Sequence, residues 1–238
     1  MSEPVVGICV PSFDQLHADF WFDFSGMLIW TLTKNEIPLS IGMHNHRLSV
    51  LPVVRNRLVR DAINSGATHV LFLDSDMRFP PDTLLRLLSH DKDIVAANCV
   101  LRAFPTRATA WADGAHVFTD AGMDGLQEVD SIGTAVMLIK TDVFRKMPKP
   151  WFYFQPRPED PNEALGEDQY FCAKAKECGF KVHIDHGLSH SVAHVGTLAY
   201  THAMAQTCRD NVPVFLSRLN LNTSTSAPAV VKEERNVA

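Results

Sequence analysis

Thr68-His69-Val70-Leu71-Phe72-Leu73 runs directly into Asp74-Ser75-Asp76. The first part would place apolar residues on both faces of an extended chain, as in a strand within a helix-covered sheet. Two acidic residues then follow where that strand must end. Ligands bind beyond the carboxyl ends of the strands in doubly wound sheets, so this stretch predicts a fold and also the position of a site.

The segments around this stretch alternate between strand and helix patterns. Short β-rich runs predict strands at 5–10, 37–41, 93–98, 135–140 and 181–184, and helical spacing of apolar residues predicts helices at 14–34, 50–65, 83–88 and 169–178. The alternation predicts an α/β fold with a Rossmann-like, mostly parallel sheet flanked by helices. Glycines in 108–129 indicate hairpins and a small antiparallel patch, and 148–165 is interpreted as a long loop.

The composition indicates one globular domain of ordinary character. The chain has 238 residues, of which 46% are hydrophobic and 21% are charged. This length suits a single α/β domain over 1–221, and the polar and then charged stretch 222–238 predicts a disordered tail. The formal net charge of -5 argues against a general polyanion-binding surface, because affinity for nucleic acids comes mainly from clustered Lys and Arg.

The cysteines and the apolar runs indicate in which cellular compartment the protein is expected. Five scattered cysteines without a CxxC pair fit neither a disulfide framework nor a zinc site, which predicts reduced thiols. No basic leader precedes an apolar stretch, and no apolar run has the length of a membrane span. We therefore expect a cytoplasmic protein, of a cell or of an infected host cell, with no membrane span.

The Asp-x-Asp pair suggests metal chemistry. Carboxylates at i and i+2 of an extended run can point the same way and converge on one hard cation, which leaves coordination positions for phosphate oxygens and water. Transfer of a sugar from a nucleotide diphosphate requires such a cation at the departing diphosphate. An isolated Asp-x-Asp is also common at surface turns, so the buried strand before it carries the argument.

With that strand, residues 70–77 resemble the metal-binding DxD segment of GT-A glycosyltransferases. Four further motifs match the family in the expected order: Arg55-Asn56, Gly133-Thr134, Gly166-Glu167-Asp168 and His194-Val195-Gly196. The resemblance extends over about 5–196, and it implies the GT-A fold and a nucleotide-sugar donor. Its strength lies in the order of the motifs, because each of them alone has an ordinary structural explanation.

The resemblance also implies a role for each matched residue. The metal ligands would be Asp74, Asp76 and His194, with Mn²⁺ or Mg²⁺ as the cofactor and His190 as a competitor of His194. The nucleotide sugar would contact Pro11, Ser12, Arg55, Asn56, Asp74, Ser75, Gly133, Thr134 and Glu167. Asp168 would be the catalytic base of an inverting enzyme, although Asp is equally a favoured helix N-cap.

The function implied is a metal-dependent hexosyl- or pentosyltransferase that uses a nucleotide-diphosphate sugar, with a UDP-sugar expected first. Acceptor specificity lies in loops and stays open. A hydroxymethylated pyrimidine in viral DNA is one acceptor that the resemblance admits, with Arg102, Arg107 and Arg157 as candidate contacts to the nucleic acid backbone.

Two other functions remain alternatives. Haloacid-dehalogenase-like phosphatases also place Asp-x-Asp after a hydrophobic strand, but on the first strand and usually before Thr or Val, whereas Met77 follows here. A non-catalytic module that binds sugar nucleotides could keep the fold without the reaction. The joint presence of both DxD acids, Asp168 and His194 argues against such a decayed site.

Overall fold

The predicted fold class is confirmed by a computed structural model, which describes residues 3–36, 38–103 and 106–196. A seven-stranded sheet forms the centre, and helices cover both of its faces. The predicted domain end at residue 221 and the predicted tail over 222–238 lie outside the described residues. None of the helices in the described ranges combines the length and apolarity that a bilayer span requires.

The strands are β1 Val5–Ser12, β2 Ser40–Arg47, β3 His69–Leu73, β4 Met77–Arg78, β5 Ile94–Ala96, β6 Ala110–Ala112, β7 Ala115–Val117, β8 Leu126–Val129, β9 Val136–Lys140, β10 Gln155–Arg157, β11 Asp160–Leu165, β12 Val182–Asp185 and β13 Ala193–His194. The helices are α1 Ala18–Lys34, α2 Leu51–Asn64, α3 Thr83–Ser89, α4 Thr141–Lys146, α5 Glu167–Glu177 and α6 His186–Ser189.

The main sheet has the strand order β2-β1-β3-β9-β5-β12-β8. Strands β9 and β8 run antiparallel to their neighbours, and the other five share one direction. The carboxyl ends of β1, β2 and β3 therefore meet at one edge of the sheet. The segment Asp74-Ser75-Asp76 leaves β3 at that edge, as the sequence predicts.

The core has two layers because the central strand is apolar on both faces. Val70 and Phe72 of β3 pack in the cluster that includes α2 and α5, and Leu71 and Leu73 pack in the cluster that includes α1 and α3. All four side chains are fully buried. Burial of each such side chain contributes roughly 1.5–3 kcal/mol relative to an exposed position, so the strand that ends in the acidic pair is anchored firmly.

The second strand differs from the prediction. We predict it at 37–41, whereas β2 occupies Ser40–Arg47 and pairs with β1 over eight residues. It is an edge strand, half exposed along its length, and it carries polar side chains such as His44 and Asn45. A search for apolar runs misses such a strand because main-chain pairing on one side is enough to hold it.

The segment 148–165 is not the continuous loop that the sequence predicts. It contains the antiparallel hairpin β10–β11, whose first strand is exposed along its length. A second unpredicted pairing joins β4 to β13, with His194 opposite Met77. Both pairs are held by main-chain hydrogen bonds and carry no apolar periodicity that the sequence could reveal.

Candidate functional site

Arg55 links two of the predicted motifs. It projects from α2 and is only 1% exposed. Its Nη2 donates to both carboxylate oxygens of Asp74, at 3.0 and 3.1 Å, and its Nε donates to Glu167 Oε1 at 3.4 Å. The guanidinium also lies over the ring of Phe72, with 5.2 Å between Cζ and the ring centroid. One buried cation thus joins the end of β3 to the start of α5.

Asp76 faces His194, two of the three residues that the resemblance assigns as metal ligands. Asp76 Oδ2 lies 3.2 Å from His194 Nε2 and 2.9 Å from Arg102 Nη1. Pairing of β13 with β4 brings the imidazole there, and Val195 N donates to Asp76 O at 2.8 Å. The hydrogen bond to Asp76 raises the pKa of His194 above its usual range. Burial alone would raise the pKa of Asp76, but the hydrogen bond from His194 and the nearby charges lower it.

Asp76 and His194 provide two groups of the kind that ligate divalent cations, although Arg102 also pairs with Asp76, whereas both oxygens of Asp74 are held by Arg55. His194 Nδ1 lies 3.0 Å from Val100 O and donates to it, because a carbonyl only accepts. Nε2 faces the Asp76 carboxylate, and it would ligate a cation once it gives up the proton of that contact. A carboxylate and an imidazole suit Mn²⁺ or Mg²⁺ with phosphate oxygens as further ligands. Among the described residues no three His, Cys, Asp or Glu side chains form a group that could hold a metal ion. His190 instead points Nε2 at Met123 O.

Asp168 lies in the first turn of α5 beside the predicted glycine turn. The N-cap of this helix is Gly166, so Asp168 is not the cap. Asp168 Oδ1 accepts from Gln169 N at 2.7 Å, and a Cβ added to Gly133 would lie 3.6 Å from Oδ2. Burial raises the pKa of Asp168, whereas the hydrogen bond from the backbone N–H of Gln169 and the charge of Arg55 lower it. Burial likewise raises the pKa of Glu167.

The other residues predicted to contact the nucleotide sugar lie at the same edge of the sheet, and each has its own hydrogen-bonding environment. Pro11 and Ser12 end β1, and the Ser12 hydroxyl accepts from Asn45 Nδ2 at 2.8 Å. Ser75 O accepts from His17 N at 3.3 Å. The Thr134 hydroxyl and Arg55 Nη1 are buried without a hydrogen-bond partner in the described part of the chain. These two atoms have hydrogen-bonding capacity that a ligand could use.

Asn56 has a structural position that the sequence does not reveal. Its Nδ2 donates to Pro52 O and to Phe152 O, both at 2.7 Å. Its Oδ1 accepts from Trp151 N at 3.0 Å and from Phe152 N at 3.3 Å. Three of these four hydrogen bonds hold the segment at 151–152 on α2, and the fourth returns to Pro52 of the same helix.

We expect Asn56→Ala to lower the free energy of unfolding by about 2 kcal/mol or more, because several main-chain groups would lose their partner in a half-buried setting. Urea denaturation would measure the change. Arg57→Ala, an exposed neighbour on the same helix, should stay within about 0.5 kcal/mol of wild type. Equal midpoints for Asn56→Ala and wild type would show that the segment does not depend on this amide.

Two features near the predicted site escape the sequence patterns. Arg102, named from the sequence as a candidate contact to nucleic acid, forms an ion pair with Asp76 and donates to Val195 O at 3.4 Å. A pocket of about 320 Å³ lies between α1 and the ends of β1 and β2. Its apolar wall includes Phe20 and Phe24, and Ser12 and Arg47 line its polar side. Only the pairing of β2 with β1 brings these groups together.

The described chain thus has an α/β fold with acidic, basic and imidazole groups at the carboxyl edge of its sheet. A family model described as Anp1 matches residues 39–112, about a third of the chain, which includes β3 and Asp74-Ser75-Asp76. The crystal structure of A197 from STIV is similar, with a TM-score of 0.51 and 16% sequence identity over 84% of this chain and 100% of that chain. At that identity the similarity shows the fold alone.

Two structures of a Drosophila enzyme have a weaker similarity. The catalytic domain of β1,4-galactosyltransferase 7 in complex with xylobiose has a TM-score of 0.48 and 13% identity, over 86% of this chain and 79% of that chain. A mutant in complex with manganese, UDP-Gal and xylobiose has a TM-score of 0.48 and 11% identity over the same shares. No curated protein matches the sequence.

Proposed function

We propose that the protein is a metal-dependent glycosyltransferase that moves a hexosyl or pentosyl group from a nucleotide-diphosphate sugar to an acceptor hydroxyl. The donor that we expect is a UDP-sugar. One observation carries the proposal. Arg55 joins Asp74 of the first acidic motif to Glu167 of the second, across 112 residues of sequence between Arg55 and Glu167, while Asp76 meets His194. The partial match to Anp1, a mannosyltransferase family, supports the same class of reaction.

The chain's own residues have distinct tasks in this reaction. Asp76 and His194 would hold Mn²⁺ or Mg²⁺, which when bound would stabilise negative charge on the diphosphate. Arg55 fixes the carboxylates of Asp74 and Glu167. Asp168 accepts the proton of the acceptor hydroxyl as its oxygen bonds to the anomeric carbon, and the bond from that carbon to the diphosphate oxygen breaks.

Metal dependence is the most direct prediction from Asp76 and His194. We expect UDP to bind only with a divalent cation, and Asp76→Ala to weaken Mn²⁺ binding by more than the roughly 10–100-fold of a change outside the ligand shell. Asp74→Ala should have the smaller effect on Mn²⁺ because Arg55 already holds that carboxylate. Calorimetric titration of Mn²⁺ and of UDP, with and without EDTA, would measure these effects.

The control for the metal experiment is Asp142→Ala, which removes an exposed carboxylate from α4. It should bind Mn²⁺ and UDP as wild type does. His194→Ala and His190→Ala should differ, with only the former weakening Mn²⁺ binding. UDP affinity that EDTA leaves unchanged would contradict the assignment of the metal.

A donor screen tests the proposed function as a whole. UDP-, GDP- and dTDP-sugars are added with and without Mn²⁺, and a donor that binds the native state raises the melting temperature. Release of nucleotide diphosphate from the best donor should then follow. Release of phosphate from p-nitrophenyl phosphate without any donor turnover would favour the phosphatase, and donor binding without hydrolysis or transfer would favour the binding module.

A further inference from the structure

A second pocket, of about 650 Å³, opens along α5, from Gln169 near the start of the helix to Glu177 at its end. Trp111 of β6, Ser131, and Gln169 of α5 line it together with residues of the β10–β11 hairpin. Gln169 directly follows Asp168, and Ser131 is two residues from Gly133, which lies against Asp168. Asp168, which we assign as the base, does not itself line the pocket, but two of the lining residues are close to it or to its neighbour Gly133 along the chain.

Several polar groups of this pocket are not used inside the protein. Within the described ranges, the Trp111 indole nitrogen, the Ser131 hydroxyl and the Gln169 side-chain amide have no hydrogen-bond partner. Trp111 is half-buried and is held by His116, with 3.8 Å between ring centroids. A fixed aromatic ring with neutral donors and acceptors around it suits the C–H faces and hydroxyls of a sugar.

The charges that line the pocket are balanced. Lys176 contacts Asp130, Arg157 lies 3.8 Å from Glu159, and Glu177 adds another carboxylate to the wall. Binding of a nucleic acid backbone depends on cations that are free to neutralise phosphates. Here the cations already have acidic neighbours, so the pocket favours an uncharged ligand over a polyanion.

We propose that this pocket is the acceptor subsite and that it takes a neutral saccharide, held against Trp111 and hydrogen-bonded by Gln169 and Ser131. The inference rests on the proposed glycosyltransferase function and deepens it. The bound saccharide presents a hydroxyl toward Asp168, whereas a DNA duplex is excluded as the acceptor.

The test measures saccharide binding directly. Xylobiose, mannobiose and cellobiose, and separately a duplex oligonucleotide with hydroxymethylcytosine, are titrated into the full chain by saturation-transfer NMR, with and without UDP and Mn²⁺. We expect at least one disaccharide to bind. Trp111→Ala should weaken its binding by at least about tenfold and Gln169→Ala by about 2–10-fold, whereas the oligonucleotide should not compete.

Trp30→Ala is the matched control, because Trp30 is a partly exposed tryptophan on α1, outside the pocket. It should bind the disaccharide as wild type does. Melting temperatures check that each variant folds. If Trp111→Ala does not fold, Gln169→Ala still tests the inference. No disaccharide binding, binding that neither pocket variant weakens, or displacement by the oligonucleotide would overturn the inference.

The same samples separate the two proposals. A wild-type chain that binds UDP with Mn²⁺ but no disaccharide contradicts the acceptor assignment alone. A chain that binds a disaccharide through Trp111 and no nucleotide at all contradicts the glycosyltransferase and leaves a saccharide-binding pocket.

Discussion

Asp168→Asn is expected to slow sugar transfer by about 10²–10⁴-fold, because the amide cannot take the proton of the acceptor hydroxyl. Folding and donor affinity should stay close to wild type. Asn is similar in size and can accept the hydrogen bond from Gln169 N that Asp168 accepts now. Transfer rates on a confirmed acceptor, measured together with the melting temperature and the donor Kd, would show whether the rate falls while folding and donor binding stay unchanged.

The pH dependence gives this prediction a second readout. Burial raises the pKa of Asp168, so the base is lost as the pH falls through a value above the ordinary range of an aspartate. The transfer rate of wild type should fall there, and the residual rate of Asp168→Asn should lack that step.

The free energy of unfolding depends on pH in the opposite direction. A raised carboxyl pKa destabilises the folded state once the pH exceeds the unfolded value, so removal of this charge should not lower stability at neutral pH.

A structural role for Asp168 would have a different signature. Unimpaired turnover in Asp168→Asn, with normal folding and donor binding, would leave the base unidentified. The position in the first turn of α5 would then account for the aspartate, because an acidic group is favourable near a helix N-terminus.

Arg55→Ala is expected to lower the free energy of unfolding by about 3–5 kcal/mol, because it would leave Asp74 and the buried Glu167 without their shared cation. Arg55→Lys should recover only part of this loss. Lysine keeps the charge but cannot hold both oxygens of Asp74 with a planar guanidinium and still reach Glu167. Chemical denaturation would give the magnitude.

The control for this change is Arg60→Ala, which removes an exposed arginine of the same helix and its surface ion pair with Asp61. It should change stability by less than about 1 kcal/mol. Donor binding provides a separate readout: Arg55→Lys should weaken it even where the variant stays folded. Equal stability of Arg55→Ala and Arg60→Ala would show that the buried bridge does not hold the two motifs together.

Much of the fold could be predicted from local patterns. The run 68–73 is apolar on both faces, and only a strand buried between two layers uses such a run, so β3 and its place in the sheet followed from the residues. The helices α1, α2 and α5 followed from the helical spacing of their apolar residues. Edge and hairpin strands such as β2 and β10 could not be predicted, because main-chain pairing without burial leaves no periodic signal.

The candidate site, too, could be predicted only in part. The acidic residues could be proposed because the resemblance marks their positions, yet their partners could not. Nothing in the sequence indicates that Asp74 lies on Arg55, that Arg102 shares Asp76 with His194, or that Asn56 holds residues 151–152.

The sequence by itself determined the alternation of strands and helices, the buried central strand and the acidic pair at its end. These are local properties, since they depend on which faces of a segment can be buried. The tertiary structure decided the pairings within the site, from the bridge of Arg55 to the wall that Trp111 and Gln169 share. Such pairings depend on the path of the whole chain, which brings side chains within 3–4 Å across 112 residues of sequence in the case of Arg55 and Glu167.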